Sequence, residues 1–327
     1  MPSPLSPSKS TLVLVTGATG WVGGHVCRAL LDRGYSVRAA VRDPAAEAKV
    51  KFLTDMGCEL VRVPDLLGDE GWEAAMAGCD GLAHVASPVN IGGGGDADSM
   101  KAMAVEGTER ALRAAAASGT VRRVVVTATM ASVCGTQRDS DPDHQWSEAD
   151  RNDKPGSAYS ASKTAAEVRT WELAEEHKEK FAVTTVHPAV VIGTLLPGQP
   201  VQSTMGLLMQ LCKGNRMCSM FGLCDAADVS AAHVAGLERE ETAGERYLVS
   251  STDQYSTLEF AQMASAGGAG GVDMAAWAAD ADAQKMAPKK PSTNNAKVSK
   301  LLSRPLIAPE ASVAAAVASL KAQGHLD

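Results

Sequence analysis

The chain lacks the features that mark membrane, secreted and nucleic-acid-binding proteins. No apolar run reaches the roughly 18–20 residues of a membrane-spanning helix, so no membrane partner is expected. No Cys-x-x-Cys occurs, and the cysteines are scattered at 27, 58, 79, 134, 212, 218 and 224. No His sits at zinc-like spacing, and the six-residue steps of the last three cysteines do not suit one tetrahedral site. No metal is therefore expected, and the thiols read as reduced, in a cytoplasmic protein. There is no Lys/Arg run, and 31 basic against 38 acidic residues leave a net charge of −7. That argues against a nucleic-acid partner, which wants a basic face. Residues 1–10 have neither an apolar core nor an Arg, and read as a disordered tail, not a targeting signal.

What is present begins at residues 11–24, Thr-Leu-Val-Leu-Val-Thr-Gly-Ala-Thr-Gly-Trp-Val-Gly-Gly. A buried strand runs into Gly17, Gly20 and Gly23, and an amphipathic segment follows at once. Glycines here let the backbone approach a phosphate, and the helix N-terminus offers it N–H groups and positive potential. The spacing is Gly-x-x-Gly-x-x-Gly, not Gly-x-Gly-x-x-Gly, and a glycine turn used only for packing is the competing reading.

Strands are predicted at 36–41, 58–63, 81–87 and 121–129, with helix-prone segments between them. This alternation predicts right-handed βαβ crossovers and a Rossmann-type doubly wound parallel α/β sheet. The four glycines at 92–95 read as a surface loop, 157–178 as a long helix, and 181–192 as a sixth strand interrupted by Pro188. A late strand at 247–250 and a closing helix at 309–322 follow. The expected division is a tail over 1–10, a nucleotide-binding domain over 11–193, and a smaller C-terminal substrate-binding lobe over 194–327, partly interleaved with the sheet.

A second constellation lies on the long helix. Tyr159 and Lys163 are four residues apart, so they share a face one turn apart. An ammonium beside a phenol favours the phenolate and so lowers the phenol pKa. Any Tyr-x-x-x-Lys arises by chance; this one follows the fifth strand of a nucleotide-binding sheet.

Taken together, Thr-Gly-Ala-Thr-Gly-Trp-Val-Gly at 16–23, Val-Arg-Asp-Pro at 41–44, Asp-Leu at 65–66, His-Val-Ala-Ser-Pro at 84–88, Val-Glu-Gly-Thr at 105–108 and Tyr-Ser-Ala-Ser-Lys at 159–163 resemble the extended short-chain dehydrogenase/reductases. Within them the chain is similar to the dihydroflavonol reductase, cinnamoyl-CoA reductase and methylglyoxal or ketone reductase branch. The resemblance implies that Tyr159 protonates a substrate carbonyl as hydride arrives, while Lys163 holds the nicotinamide ribose and depresses the Tyr pKa. The family's third hydroxyl, usually Ser, corresponds to Thr129 in Thr127-Ala128-Thr129, with Ser132 in reserve. For the cofactor it implies Gly17, Thr19, Gly20, Trp21, Val22 and Gly23 at the diphosphate, and Asp65 and Leu66 at the adenine. Val85, Ala86, Ser87 and Thr127 would pass the ribose and pyrophosphate. Pro188, Val191 and Ser203 would lie near the nicotinamide, beside Tyr159 and Lys163.

Arg42 at the end of the second strand suits a 2′-phosphate; the resemblance to the plant reductases implies Lys49 as a second phosphate-binding cation, and the expected cofactor is NADPH. In the alternative, Asp43 takes a free ribose and NADH is used. The cinnamoyl-CoA reductases carry Asn-Trp-Tyr-Cys-Tyr-Gly-Lys at the catalytic helix, where this chain has Gly156-Ser-Ala-Tyr-Ser-Ala-Ser-Lys163, which speaks against that activity. The expected partner is a small-molecule carbonyl compound, bulky or aromatic. Met205, Leu207, Leu208, Met209, Leu211, Met217, Met220 and Phe221 either line its apolar pocket or belong to the core. A non-catalytic dinucleotide-binding regulator and a sugar-nucleotide epimerase or dehydratase share the scaffold. Relatives pair through helices at 100–117 and 157–178, and a monomer or a homodimer is expected.

Overall fold

A computed structural model describes residues 2–87, 97–136, 141, 143–213, 215, 219–280 and 292–327. The glycine run at 92–95, Pro88 and Met217 lie outside them. The strands are β1 (Leu12–Thr16), β2 (Ser36–Val41), β3 (Glu59–Arg62), β4 (Gly81–His84), β5 (Arg123–Thr127), β6 (Ala182–Pro188), β7 (Val190–Ile192), β8 (Met220–Phe221), β9 (Leu223–Asp225), β10 (Arg246–Val249) and β11 (Tyr255–Ser256). The first helices are α1 (Trp21–Arg33), α2 (Glu47–Met56), α3 (Trp72–Met76), α4 (Ala97–Ser118), α5 (Ala158–Glu176), α6 (Ser203–Cys212) and α7 (Ala226–Glu238).

Seven strands form one parallel sheet in the order β10-β6-β5-β4-β1-β2-β3. The order reverses direction at β1, which sets the crevice at the carboxyl ends of β1 and β4 where open α/β sheets bind ligands. Strand alternation builds a core on each face. Leu14, Leu82, Val124 and Val126 pack with Leu112, Ala115 and Leu173 of α4 and α5. Val13, Val15, Ala83 and Val125 face the other way, toward Val26 and Leu30 of α1 and Ala232 and Leu237 of α7. α5 starts on a reciprocal cap in which the Ser157 and Ser160 hydroxyls each accept from the other's backbone N–H, both at 3.1 Å.

Several expectations are corrected. Within residues 2–10, expected as a disordered tail, Leu5 is buried, and its N–H donates to the Leu237 carbonyl at 2.9 Å. A single Leu in a polar stretch has no periodicity to announce it. The sixth strand ends at Pro188, and β7 leaves the main sheet to pair with β9. β10 returns to the main sheet beside β6, and α7 lies against α1, β5 and β6. Of the Met/Leu set read as either pocket or core, Met205, Leu208 and Leu211 are fully buried in the larger core, as the second reading has it.

Candidate active site

The glycine turn joins β1 to α1. Gly17 has a positive φ of 66°, and a Cβ there would lie 2.8 Å from the Ala86 backbone. A Cβ on Gly23 would lie 2.1 Å from the Gly17 carbonyl. The turn thus has no room for a side chain at Gly17 or Gly23, and it abuts the Val85–Ala86 backbone leaving β4. The Ala86 N–H donates to the Thr16 hydroxyl at 3.2 Å, tying the two strand ends. No side chain caps α1 and no acid stands in its first turn, which leaves its N-terminal dipole uncancelled. These features fit a dinucleotide diphosphate.

The C-terminal half latches onto the same turn. The side-chain amide of Gln199 donates to the carbonyls of Gly20 and Trp21 at 3.1 and 3.0 Å, and that of Gln202 to the Thr19 carbonyl at 2.5 Å. The Trp21 indole N–H donates to the Val191 carbonyl at 3.1 Å, and the Thr204 hydroxyl donates to the same oxygen. Ser203, at a positive φ of 54°, begins α6 just beyond. Pro188 is buried at the end of β6. Neither glutamine is recognisable from sequence, because their partners are carbonyls about 180 positions upstream.

At the other end of the crevice, Arg42 and Lys49 are exposed. Asp43 spends its carboxylate on the Ala45 N–H at 2.9 Å, so the nearest acid is engaged in its own turn. Asp65 likewise accepts from the Leu67 N–H at 3.0 Å, with Leu66 half-buried beside it.

The end of β5 is where the chemistry-bearing groups meet. The Thr129 hydroxyl interacts with the Tyr159 phenol, and also accepts from the Ala131 N–H at 3.3 Å. Lys163 Nζ donates to the Thr127 carbonyl at 3.4 Å. Ala86, Ser87, Thr127 and Lys163 line a common cavity of about 10 Å³ together with His84 and Glu167. Ser132 is fully buried, and its hydroxyl donates to the Thr129 carbonyl at 2.8 Å. It therefore supports the turn that carries Thr129.

Burial dominates the electrostatics. It pushes the Tyr159 phenol above its ordinary pKa, with the Thr129 hydroxyl pulling the other way. It also drives Lys163 down to about 8, against the charge of Glu167. Lys163, expected to depress the Tyr159 pKa, is not among the groups that do so: burial raises the phenol, and the Thr129 hydroxyl is what opposes it. His84 and His187 are buried, each held in place by a threonine: Thr16 at 2.9 Å and Thr185 at 2.8 Å. Burial lowers His84 to about 3, which makes it a neutral structural group.

Sequence reasoning missed the polar layer behind these residues. Glu167 and Arg246, both buried, pair at 2.7 Å, and His233 of α7 reaches the Thr127 hydroxyl. The spacing of Glu167, four positions after Lys163, was the one available signal.

The sequence model of the NAD dependent epimerase/dehydratase family matches residues 13–250. The chain belongs to this family, the extended short-chain dehydrogenase/reductases. It is 32% identical over 265 residues to cinnamoyl-CoA reductase CAD2 of Medicago truncatula, covering 77% of this chain and 80% of that one. It is 33% identical over 263 residues to the bifunctional dihydroflavonol 4-reductase/flavanone 4-reductase of Malus domestica, covering 75% and 73%. In fold it is similar to yeast methylglyoxal/isovaleraldehyde reductase Gre2 complexed with NADPH, with a TM-score of 0.80, 22% identity, and 97% and 100% of the two chains covered. The chain is thus a nicotinamide-dependent oxidoreductase of the extended type. Among the described residues no helix is long and apolar enough to cross a membrane.

Proposed function

We propose that this oxidoreductase uses NADPH to reduce the carbonyl of a ketone or aldehyde, preferably a bulky or aromatic one. The observation that carries the reading is the Tyr159 phenol beside the Thr129 hydroxyl, on the strand end whose Thr127 carbonyl anchors Lys163. Bound nicotinamide supplies the hydride. Thr129 and Tyr159 hydrogen-bond the carbonyl oxygen and orient it. Tyr159 donates its proton as negative charge develops on that oxygen. Burial raises the phenol further above neutrality, so Tyr159 carries the proton that an acid requires. Lys163, one turn along the helix, then stabilises the phenolate that remains.

The glycine cradle and the uncapped α1 terminus hold the diphosphate. Arg42 and Lys49 are the cations for a 2′-phosphate, and the engagement of Asp43 with Ala45 supports NADPH over NADH. The substrate class rests on relatives named for dihydroflavonols, flavanones and anthocyanidins. The Gly156–Lys163 run departs from that of the cinnamoyl-CoA reductases, which weighs against a CoA thioester.

The test is to follow NADPH absorbance while a panel of flavanones, aromatic ketones and aldehydes is added. Turnover of at least one aromatic carbonyl compound is expected, and silence across the whole panel overturns the reading. Gel filtration adds a second arm. A reductase releases its oxidised cofactor, whereas a dinucleotide that stays with the protein points to an epimerase or dehydratase.

A further inference from the structure

Tyr159, Lys163 and Glu167 stand at successive turns of α5, so they form one stripe. Glu167 is 4% exposed. Its carboxylate accepts from Arg246 Nε at 2.7 Å and Nη2 at 3.2 Å, a side-on two-point contact, and from the Trp171 indole N–H at 3.3 Å. Arg246, also 4% exposed, opens β10. Its remaining Nη1 donates to the carbonyls of Glu148 and Asp150 at 2.6 and 2.5 Å, holding the loop that leads into α5. On the far side, His187 Nε2 is 3.6 Å from Glu167, and His187 Nδ1 donates to the Thr129 carbonyl at 3.3 Å. One ion pair therefore joins three separate pieces: the helix bearing Tyr159 and Lys163, the 148–150 loop and the edge strand.

Stability alone does not call for such a pair. Two desolvated charges are often matched or bettered by apolar side chains of similar volume, so a buried pair is better explained by the geometry it fixes. The pair also sets a field. Glu167 is the nearby carboxylate that favours the charged form of Lys163 against burial. The other titratable groups facing that ammonium, His84 from β4 and His187 from β6, are held neutral by burial.

We infer that Glu167, clamped by Arg246, is a positioning residue for carbonyl reduction: it holds Lys163 as an ammonium and fixes the helix that presents Tyr159. The inference rests on the carbonyl-reductase reading. Its test uses the full chain with NADPH and a carbonyl compound that the wild-type chain turns over. Glu167→Gln removes the charge and keeps the shape. The paired Glu167→Met/Arg246→Met variant removes both charges together, so no unpaired ion is left buried.

In both variants kcat is expected to fall at least about tenfold, on the scale of a misaligned acid catalyst. KM and the NADPH dissociation constant, read by fluorescence titration, are expected to change less than kcat. The alkaline limb of the kcat–pH profile moves to lower pH, which a merely structural role would not produce. If the paired variant melts like wild type and keeps wild-type kcat and pH profile, the pair only packs and the inference fails. If Glu167→Gln does not fold, the paired variant decides; if neither folds, the pair is a folding element and the inference fails too. No turnover by the wild-type chain sinks the carbonyl-reductase reading itself, whereas normal turnover in the paired variant sinks this inference alone.

Discussion

The Thr127 hydroxyl lies 2.6 Å from Nε2 of His233, across the face of the sheet opposite Lys163. The other ring nitrogen, Nδ1, is 2.8 Å from the Val229 carbonyl, which can only accept. Nδ1 therefore carries the proton, and Nε2 receives the Thr127 hydroxyl hydrogen. The strand end that presents the candidate site is thus pinned from below by a neutral histidine.

Protonation of that histidine works against folding. Burial lowers His233 and His25 to about 4 and His84 to about 3. Folded values below the unfolded one mean that the native state binds fewer protons between roughly pH 4 and 6.5. Stability therefore rises with pH through this window and is lost as pH falls from 6.5. Each histidine costs about 2 kcal/mol by pH 5 on this linkage. Urea unfolding at pH 7 and pH 5 should show the loss, and His233→Gln should remove about one histidine's share. An unaltered pH dependence in that variant would mean that His233 is not among the groups titrating.

Gly23 makes the sharpest steric prediction. An alanine methyl at this position would sit 2.1 Å from the Gly17 carbonyl, backbone against backbone, so no rotamer relieves it. Gly23→Ala should lower stability by about 1–3 kcal/mol or more, in the range of core overpacking. It should also weaken NADPH binding at least about tenfold, because the diphosphate turn must open. A thermal melt and a fluorescence titration read the two effects, and native affinity in a folded variant would place the diphosphate elsewhere.

What the sequence discloses and what it hides follow from contact range. β1, the glycine turn and α1 are legible because strand, turn and helix signals fall within one continuous stretch. Tyr159 and Lys163 are legible because helical spacing alone puts them on one face. Glu167 and Arg246 are 79 positions apart, and Thr127 and His233 are 106 apart. Nothing local distinguishes a buried Arg at the start of an edge strand from a solvated one. The Tyr159 pKa is illegible for the same reason: the burial of a phenol is a tertiary property that helical spacing does not carry.

The pH dependence of turnover follows from Lys163. Its pKa is lowered to about 8, chiefly by burial. The ammonium is therefore intact at pH 7 and is lost as pH rises through about 8, while the raised Tyr159 keeps its proton beyond that point. If Lys163 must be charged to hold the ribose and the phenolate, kcat for carbonyl reduction should fall above about pH 8. A profile flat to pH 10 would exclude that role for the ammonium.

Arg42 and Lys49 make the cofactor choice testable. Both are exposed beyond the end of β2, where the removal of one guanidinium disturbs no packing. Arg42→Ala should raise KM for NADPH about tenfold or more and leave NADH nearly unchanged, since only the 2′-phosphate loses a two-point partner. An unchanged preference would place the phosphate site elsewhere.

The third hydroxyl is open to a direct comparison. Thr129 is partly accessible and its hydroxyl meets the Tyr159 phenol, whereas the Ser132 hydroxyl is buried and committed to the Thr129 carbonyl. Thr129→Val keeps the shape and removes the hydrogen bond, so kcat should fall while NADPH affinity holds. Ser132→Ala should cost about 1 kcal/mol of stability, the worth of one hydrogen bond, and leave kcat within a few-fold. Tyr159→Phe removes the proton itself and should lower kcat by about 10²–10⁴-fold, the usual contribution of a positioned acid. A larger loss from Ser132→Ala than from Thr129→Val would reverse the assignment, because it would mean that the buried hydroxyl, and not the one facing Tyr159, orients the carbonyl.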